Sequence, residues 1–306
     1  MAVSMLVSGL SASADVDVKI ADDTGVVAVK LNGSLFTEYH YKDAARPYFY
    51  PLIAPTGDNI TRHWPMKQIN SDDETDHPHQ RSLWYTHGDV NGHDFWTEGR
   101  GPVIVQTRVD VTSGKDKGTI LCENEWRAKD GKVICTDVRK HTITTSGESR
   151  IVDFEITIKA SHGAVTLGDT KEGSMAFRVA PTLNLKGKTA RGHIQNSEGV
   201  TDADAWGKRA NWCDYYGPLN DKMVGITLMD HPDNPRHPTW WHARDYGLCA
   251  ANPFGISVFE KKPAKTGDME IKNGASVAFK YRVLVHKGST ENAGIEKEYQ
   301  RYAKGE

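Results

Sequence analysis

Residues 118–160 read GTILCENEWRAKDGKVICTDVRKHTITTSGESRIVDFEITIKA. Two long runs rich in β-branched and aromatic residues meet at Lys129-Asp130-Gly131, a glycine-containing reversal of the kind that joins neighbouring strands. TSGES, residues 145–149, reverses the chain again. From Phe154 onward the third run alternates, with Phe154, Ile156 and Ile158 apolar and Glu155, Thr157 and Lys159 polar. A period of two puts one face in a core and the other in water. Consecutive hairpins of this length predict large antiparallel sheets packed face to face. The expected fold class is therefore all-β, a large antiparallel β-sandwich.

The rest of the chain follows the same pattern. Short β-branched and aromatic runs predict strands over 16–20, 26–31, 35–41, 48–54, 104–112, 118–128, 132–144, 149–159, 165–167, 175–179, 224–229, 256–259 and 276–285. Only 292–303 has helical spacing, with Ile295, Tyr299 and Tyr302 on one side, which predicts a short C-terminal helix. No repeat and no Gly/Ser- or Pro-rich linker divides the chain, so one domain is expected over 16–306. Three stretches carry no strand signal: 55–100, 186–223 and 230–255. Loops that long in a compact domain tend to be functional.

Bulk properties exclude several classes. A net charge of -2, with both signs interspersed, gives no reason to expect nucleic acid as a partner. No run approaches the ~18 apolar residues of a membrane span. Met5–Leu10 is a short apolar stretch before Ala12-Ser13-Ala14, a small-x-small cleavage pattern. Residues 1–15 thus read as a signal-peptide remnant or a disordered tail, and the expected location is secreted or periplasmic. Cys122, Cys135, Cys213 and Cys249 form no CxxC pair, so they read as buried thiols rather than structural zinc ligands.

The chemistry-bearing residues concentrate in the strandless stretches. His63, His77, His79, His87 and His93 fall within 31 residues, and His231, His237 and His242 within 12. Residues 76–96 read DHPHQRSLWYTHGDVNGHDFW. Pro78 favours extended backbone at His77, which would point His77 and His79 the same way. With His87 they form a candidate site for a divalent metal. Alternatively, His79 and His87 are acid/base groups, since imidazole titrates near neutrality. Arg81 can hold a carboxylate or orient a hydroxyl. Trp84 is a candidate sugar platform, and Asn91 stands in a tight turn of 88–92.

Residues 230–255 read DHPDNPRHPTWWHARDYGLCAANPFG, and four prolines stiffen the stretch. His237, His242 and Asp245 are candidate catalytic groups there, and Trp240 and Arg244 candidate substrate contacts. Of the adjacent Trp240 and Trp241, one is expected to be buried and the other to line the site. In 168–182, GDTKEGSMAFRVAPT, Glu172 is a candidate base and Arg178 would keep a nearby carboxylate ionised. In 205–217, AWGKRANWCDYYG, Arg209 is a further candidate contact. GxSxG, P-loop, HExxH and helix-opening GxGxxG motifs are absent, which leaves acyl transfer, phosphoryl transfer and Rossmann redox chemistry without support.

Four segments carry a resemblance: TEYHYKDAARPYFYPLIAPTGDNITRHWP (37–65), the 76–96 segment, WGKRANWCDYYGP (206–218) and the 230–255 segment. Together they resemble a bacterial family of unknown function labelled methane oxygenase PmoA, over roughly residues 28–290. The methane oxygenase subunit is an integral membrane protein, so the resemblance implies a family and not an oxygenase. More distantly, Asp169–Arg178 and His87-Gly88 are similar to the galactose mutarotase-like super-sandwich, which is shared by aldose epimerases, polysaccharide lyase domains and some glycosidases. That likeness implies a small-molecule substrate of the sugar class. The expectation is a carbohydrate-active enzyme of epimerase, lyase or hydrolase type with His/carboxylate acid–base chemistry. The alternatives are a non-catalytic sugar-binding protein and a metal-dependent enzyme; the cofactor is accordingly none or a divalent metal.

Overall fold

The computed structural model describes residues 14–21, 24–69 and 74–306. Residues 1–13 of the expected leader or tail lie outside the described residues, and Asp15 already opens a strand. The first sheet has nine strands in the spatial order β16 (Trp240–Trp241), β17 (Leu248–Asn252), β12 (Gly173–Arg178), β5 (Leu83–His87), β4 (Tyr48–Leu52), β3 (Ser34–His40), β2 (Val26–Leu31), β1 (Asp15–Ala21) and β7 (Gly114–Lys115). The second has eight, in the order β13 (His193–Asn196), β14 (Trp212–Leu219), β15 (Lys222–Asp230), β19 (Ser276–Lys287), β10 (Ser149–Lys159), β9 (Val133–Ser146), β8 (Gly118–Arg127) and β6 (Val103–Thr112). A short ladder joins β11 (Val165–Leu167) to β18 (Met269–Ile271). The pairings within the sheets are antiparallel. The chain is all-β with large antiparallel sheets, as the alternation in 118–160 predicts, and a short C-terminal helix, as the spacing of Ile295, Tyr299 and Tyr302 predicts.

The two hairpins fall where the sequence puts them. Cys122 pairs with Arg139 and Cys135 with Trp126, so the two thiols are not opposite each other. All four cysteines are free and buried. In β10 the core face carries Val152, Phe154, Ile156 and Ile158. Ile151 lies on the other face yet is also buried, because helix α2 (Ile295–Ala303) covers that end of the sheet. Ile295, Tyr299 and Tyr302 of α2 pack on Ile151, Trp212, Met229 and Leu284, which removes the alternation locally.

Two expectations fail. Residues 256–259 form a helical turn, α1 (Ile256–Phe259), closed by Glu260 N donating to Ile256 O at 2.9 Å. The strandless stretches also contain β5, β13, β14, β16 and β17. Strands β5 and β17 are buried on both faces, so they show no alternation to read.

The core holds a polar layer. Asp137 accepts from Asn124 Nδ2 (2.6 Å), Trp126 Nε1 (2.7 Å) and Arg139 Nη2 (2.7 Å), and both charged side chains are buried. Two residues on, His141 is enclosed by the rings of Tyr39, Phe49 and Phe154, at 5.3, 5.1 and 4.8 Å. Neither of its nitrogens has a hydrogen-bond partner among the described residues. Burial, reinforced by Arg139, pushes its pKa down to about 3. A histidine whose folded pKa is depressed contributes stability that is complete above the unfolded value of about 6.5 and lost as pH falls below it. His141→Phe should therefore shrink the stability lost between pH 7 and pH 5 by about 2 kcal/mol, as read from urea midpoints. An unchanged loss would mean that His141 does not stay neutral in the fold.

Candidate active-site cleft

The two faces of β17, β12 and β5 do different jobs. Leu83, Tyr85, Met175, Phe177, Cys249 and Ala251 point into the sandwich core. The residues between them share the outer face. Tyr48 pairs with Trp84, Trp84 with Ala176, and Ala176 with Ala250. His242 extends this row through reciprocal backbone hydrogen bonds with Ala250, at 2.9 and 3.3 Å. The neighbouring row runs Ser82, Arg178, Leu248, Arg244: Arg178 N donates to Ser82 O at 2.7 Å, Arg178 pairs with Leu248, and Arg244 N donates to Leu248 O at 2.8 Å. Trp96 packs on Trp84 with ring centroids 5.4 Å apart. Trp84, Trp96, Ala176, Leu248, Ala250 and His242 are all buried. They form a support layer.

Above it lies a half-exposed polar layer. His79 stands over Trp96 at 6.5 Å, and its segment is fixed by Arg46, whose Nη2 donates to His79 O at 2.5 Å. Burial, with Arg46 and His77 adding, pulls the His79 pKa down to about 4, while Glu172 and Glu98 pull the other way. Glu172 has the same opposing effect on His242, which burial also lowers to about 4. Glu172 therefore lies within electrostatic reach of both imidazoles. Its side chain is 33% exposed and meets Lys171 Nζ at 2.5 Å.

Local backbone chemistry explains that placement. Gly88 N donates to Glu172 O at 2.6 Å, and a Cβ on Gly88 would come within 2.8 Å of Glu172 Cβ. Only glycine admits this approach. Beyond Glu172, the Tyr246 ring is stacked by His77 at 5.2 Å and meets the guanidiniums of Arg178 (4.5 Å) and Arg244 (5.3 Å). Asp76 receives Arg62 Nη1 at 2.5 Å and Arg178 Nη2 at 3.3 Å and also contacts His77. Burial works against its ionisation, yet Arg178, His77 and Arg62 hold the carboxyl below its ordinary range.

Of the residues singled out in the sequence, the fold brings His79, Glu172 and Arg244 and the buried Arg178, His242 and Trp84 to this place. His77 joins them but not in extended backbone: its φ is +45°, because His77 O turns back to accept from Gln80 N (3.0 Å) and from Arg62 Nη2 (3.0 Å). His87 faces the core, where it meets Gly168 O at 2.9 Å and packs on Phe254; burial pushes it down to about 4. His77, His79 and His87 thus do not converge on one ion. Among the described residues no group of three or more His, Cys, Asp or Glu side chains is arranged to hold a metal.

The other candidates are engaged elsewhere. His237 meets Asp230 Oδ2 at 2.7 Å and the Tyr299 hydroxyl at 3.4 Å, against α2. Asp245, by contrast, stays next to Arg244, with which it lines a cavity beside Ala203 and Trp206. Arg81 is held by both Glu98 oxygens, at 2.8 and 2.9 Å. Asn91 stitches its turn to Ala164 O and Thr166 N. Arg209 clamps the carbonyls of Arg236 and Pro238 and covers Trp240 at 4.4 Å. Both Trp240 and Trp241 are buried, with Nε1 donating to Glu260 and to Ala210 O respectively, so neither lines the cleft. Sequence reading missed Asp76, Gln80 and Tyr246. Tyr246 was recoverable, since it lies two residues beyond Arg244 in the same motif.

Fold and site together define an all-β protein with a partly exposed charged cluster on the outer face of its larger sheet. The chain belongs to a family described as of unknown function (DUF6807), which matches residues 26–300. No protein with a curated description matches the sequence. Among solved structures it is similar to an alpha-galactosidase from Lactobacillus brevis, with TM-score 0.40 and 12% identity over 83% of this chain and 38% of that one. It is also similar to the galactosidase domain of an alpha-galactosidase-sucrose kinase, with TM-score 0.41 and 6% identity over 89% and 42%. A galactose mutarotase related enzyme from Lactobacillus acidophilus gives TM-score 0.29 and 11% identity over 90% and 98%. The chain spans less than half the length of either galactosidase chain. No helix of the described residues is long and apolar enough to cross a membrane.

Proposed function

We propose that this protein is a carbohydrate-active enzyme that moves protons on a sugar bound over β12 and β17. The supporting observation is the meeting of His79, Glu172, Tyr246 and Arg244, all partly exposed, above one buried aromatic and alanine row. A sugar presents several hydroxyls at once, and an imidazole, a carboxylate, a phenol and a guanidinium supply donors and acceptors in matching number. His79 is uncharged at neutral pH and so free to accept a proton. Glu172 is the second proton carrier of the pair. His242, buried beneath, acts as a positioning residue: its Nδ1 meets Lys171 O at 2.9 Å and steadies the segment that presents Glu172.

The test is a panel of neutral and acidic mono- and oligosaccharides followed by NMR for exchanged C–H protons, new double bonds or new reducing ends. Turnover of at least one member is expected. Its rate should fall on the acid side as His79 protonates near pH 4. Binding without turnover across the panel would reduce the protein to a sugar-binding module. Absence of both would remove the proposal.

A further inference from the structure

We infer that the sugar carries an oxyanion, a carboxylate or a sulfate, received by the guanidinium of Arg244. This rests on the sugar reading above and narrows it. Five guanidiniums of the described residues lie on this side of the sheet; Glu98 serves Arg46 and Arg81, which leaves those of Arg62, Arg178 and Arg244. One carboxylate, Asp76, serves the first two of these and His77 besides. Arg178 turns its other terminal nitrogen to the neutral Gln80 side chain, and its Nε has no partner among the described residues. Arg244 makes no ion pair among the described residues and rests against the Tyr246 ring.

An aromatic face is a weaker counter-charge than a carboxylate. A half-buried guanidinium without an anion is therefore where an incoming oxyanion gains most. Water competes less there, and the planar fork matches two oxygens at once. The neighbouring cations show the same shortage of negative charge. Burial pulls Arg62 down to about 10 and lowers Arg178, and the carboxylates of Asp76 and Glu74 oppose it at both residues without cancelling it. Glu172 does not fill the gap, because Lys171 balances it. Arg244 also lines a cavity of about 270 Å³ with Trp206 and Asp245.

The experiment measures calorimetric affinities for oligogalacturonate, its methyl ester, the matching galactose oligomer and a sulfated galactose oligomer. Wild type is compared with Arg244→Gln, Arg244→Lys and, as a control on the far sheet, Arg108→Gln. The anionic ligands should bind at least about tenfold more tightly than their neutral counterparts at low salt, and the preference should shrink as salt is added. The carboxylate and sulfate arms tell the two oxyanions apart. Arg244→Gln should bring the preference within about twofold, and Arg244→Lys should keep part of it, because the charge remains without the fork. The control should keep all of it. Neutral ligands binding as well as anionic ones would overturn this inference and leave the sugar reading standing. A full preference retained by a folded Arg244→Gln would overturn it in the same way. No binding by any member would sink both.

Discussion

Asp137→Ala is expected to lower the unfolding free energy by about 3–5 kcal/mol. Asp137 and Arg139 are both buried between the sheets, and the carboxylate takes the Arg139 fork together with Asn124 Nδ2 and Trp126 Nε1. Removing it leaves a guanidinium in the core with only Tyr85 O at 3.4 Å and the Tyr85 ring at 5.3 Å for company. The pair itself need not stabilise the fold much, since desolvation offsets most of its attraction. A double variant, Asp137→Leu with Arg139→Met, should therefore recover most of the loss. Denaturant midpoints of the three proteins decide the matter. A double variant as unstable as the single one would mean that the layer is needed for the fold itself rather than merely needing to be complete. If the single variant yields no soluble protein, the double variant still answers.

The second large effect belongs to Glu172. Glu172→Gln keeps the shape and removes the charge, and turnover should drop by about 10²–10⁴. Its ion pair with Lys171 is partly solvent-exposed, so the melting temperature should move little. Kinetics beside a thermal melt separate a catalytic role from a structural one. Turnover kept within a few-fold would assign the proton to another group, and a large fall in melting temperature would make Glu172 structural.

Much of the fold is legible in the chain because β8, β9 and β10 alternate or carry long β-branched runs. The same rule hides the polar layer. Asp137, Arg139 and His141 share a strand face with Cys135 and Ile143, and polarity alone would send that face to solvent. The cleft was half legible. His79, Glu172, Arg178 and Arg244 stand in dense motifs, but which of the histidines meet depends on strand register between β5, β12 and β17. That register is invisible in one sequence, because those strands are buried on both faces and do not alternate. His237 shows the cost: it is five residues from His242 in the chain, yet it is drawn to Asp230 and the C-terminal helix.

Strand β12 sets Phe177 in the hydrophobic interior and Arg178 among the charges outside. Inserting or deleting one residue there would exchange the two, stranding a cation in hydrocarbon and setting a phenyl ring against Asp76 and Gln80. Length changes in this family should accordingly gather in the hairpin tips, while the short segment from Gly173 to Arg178 keeps its count.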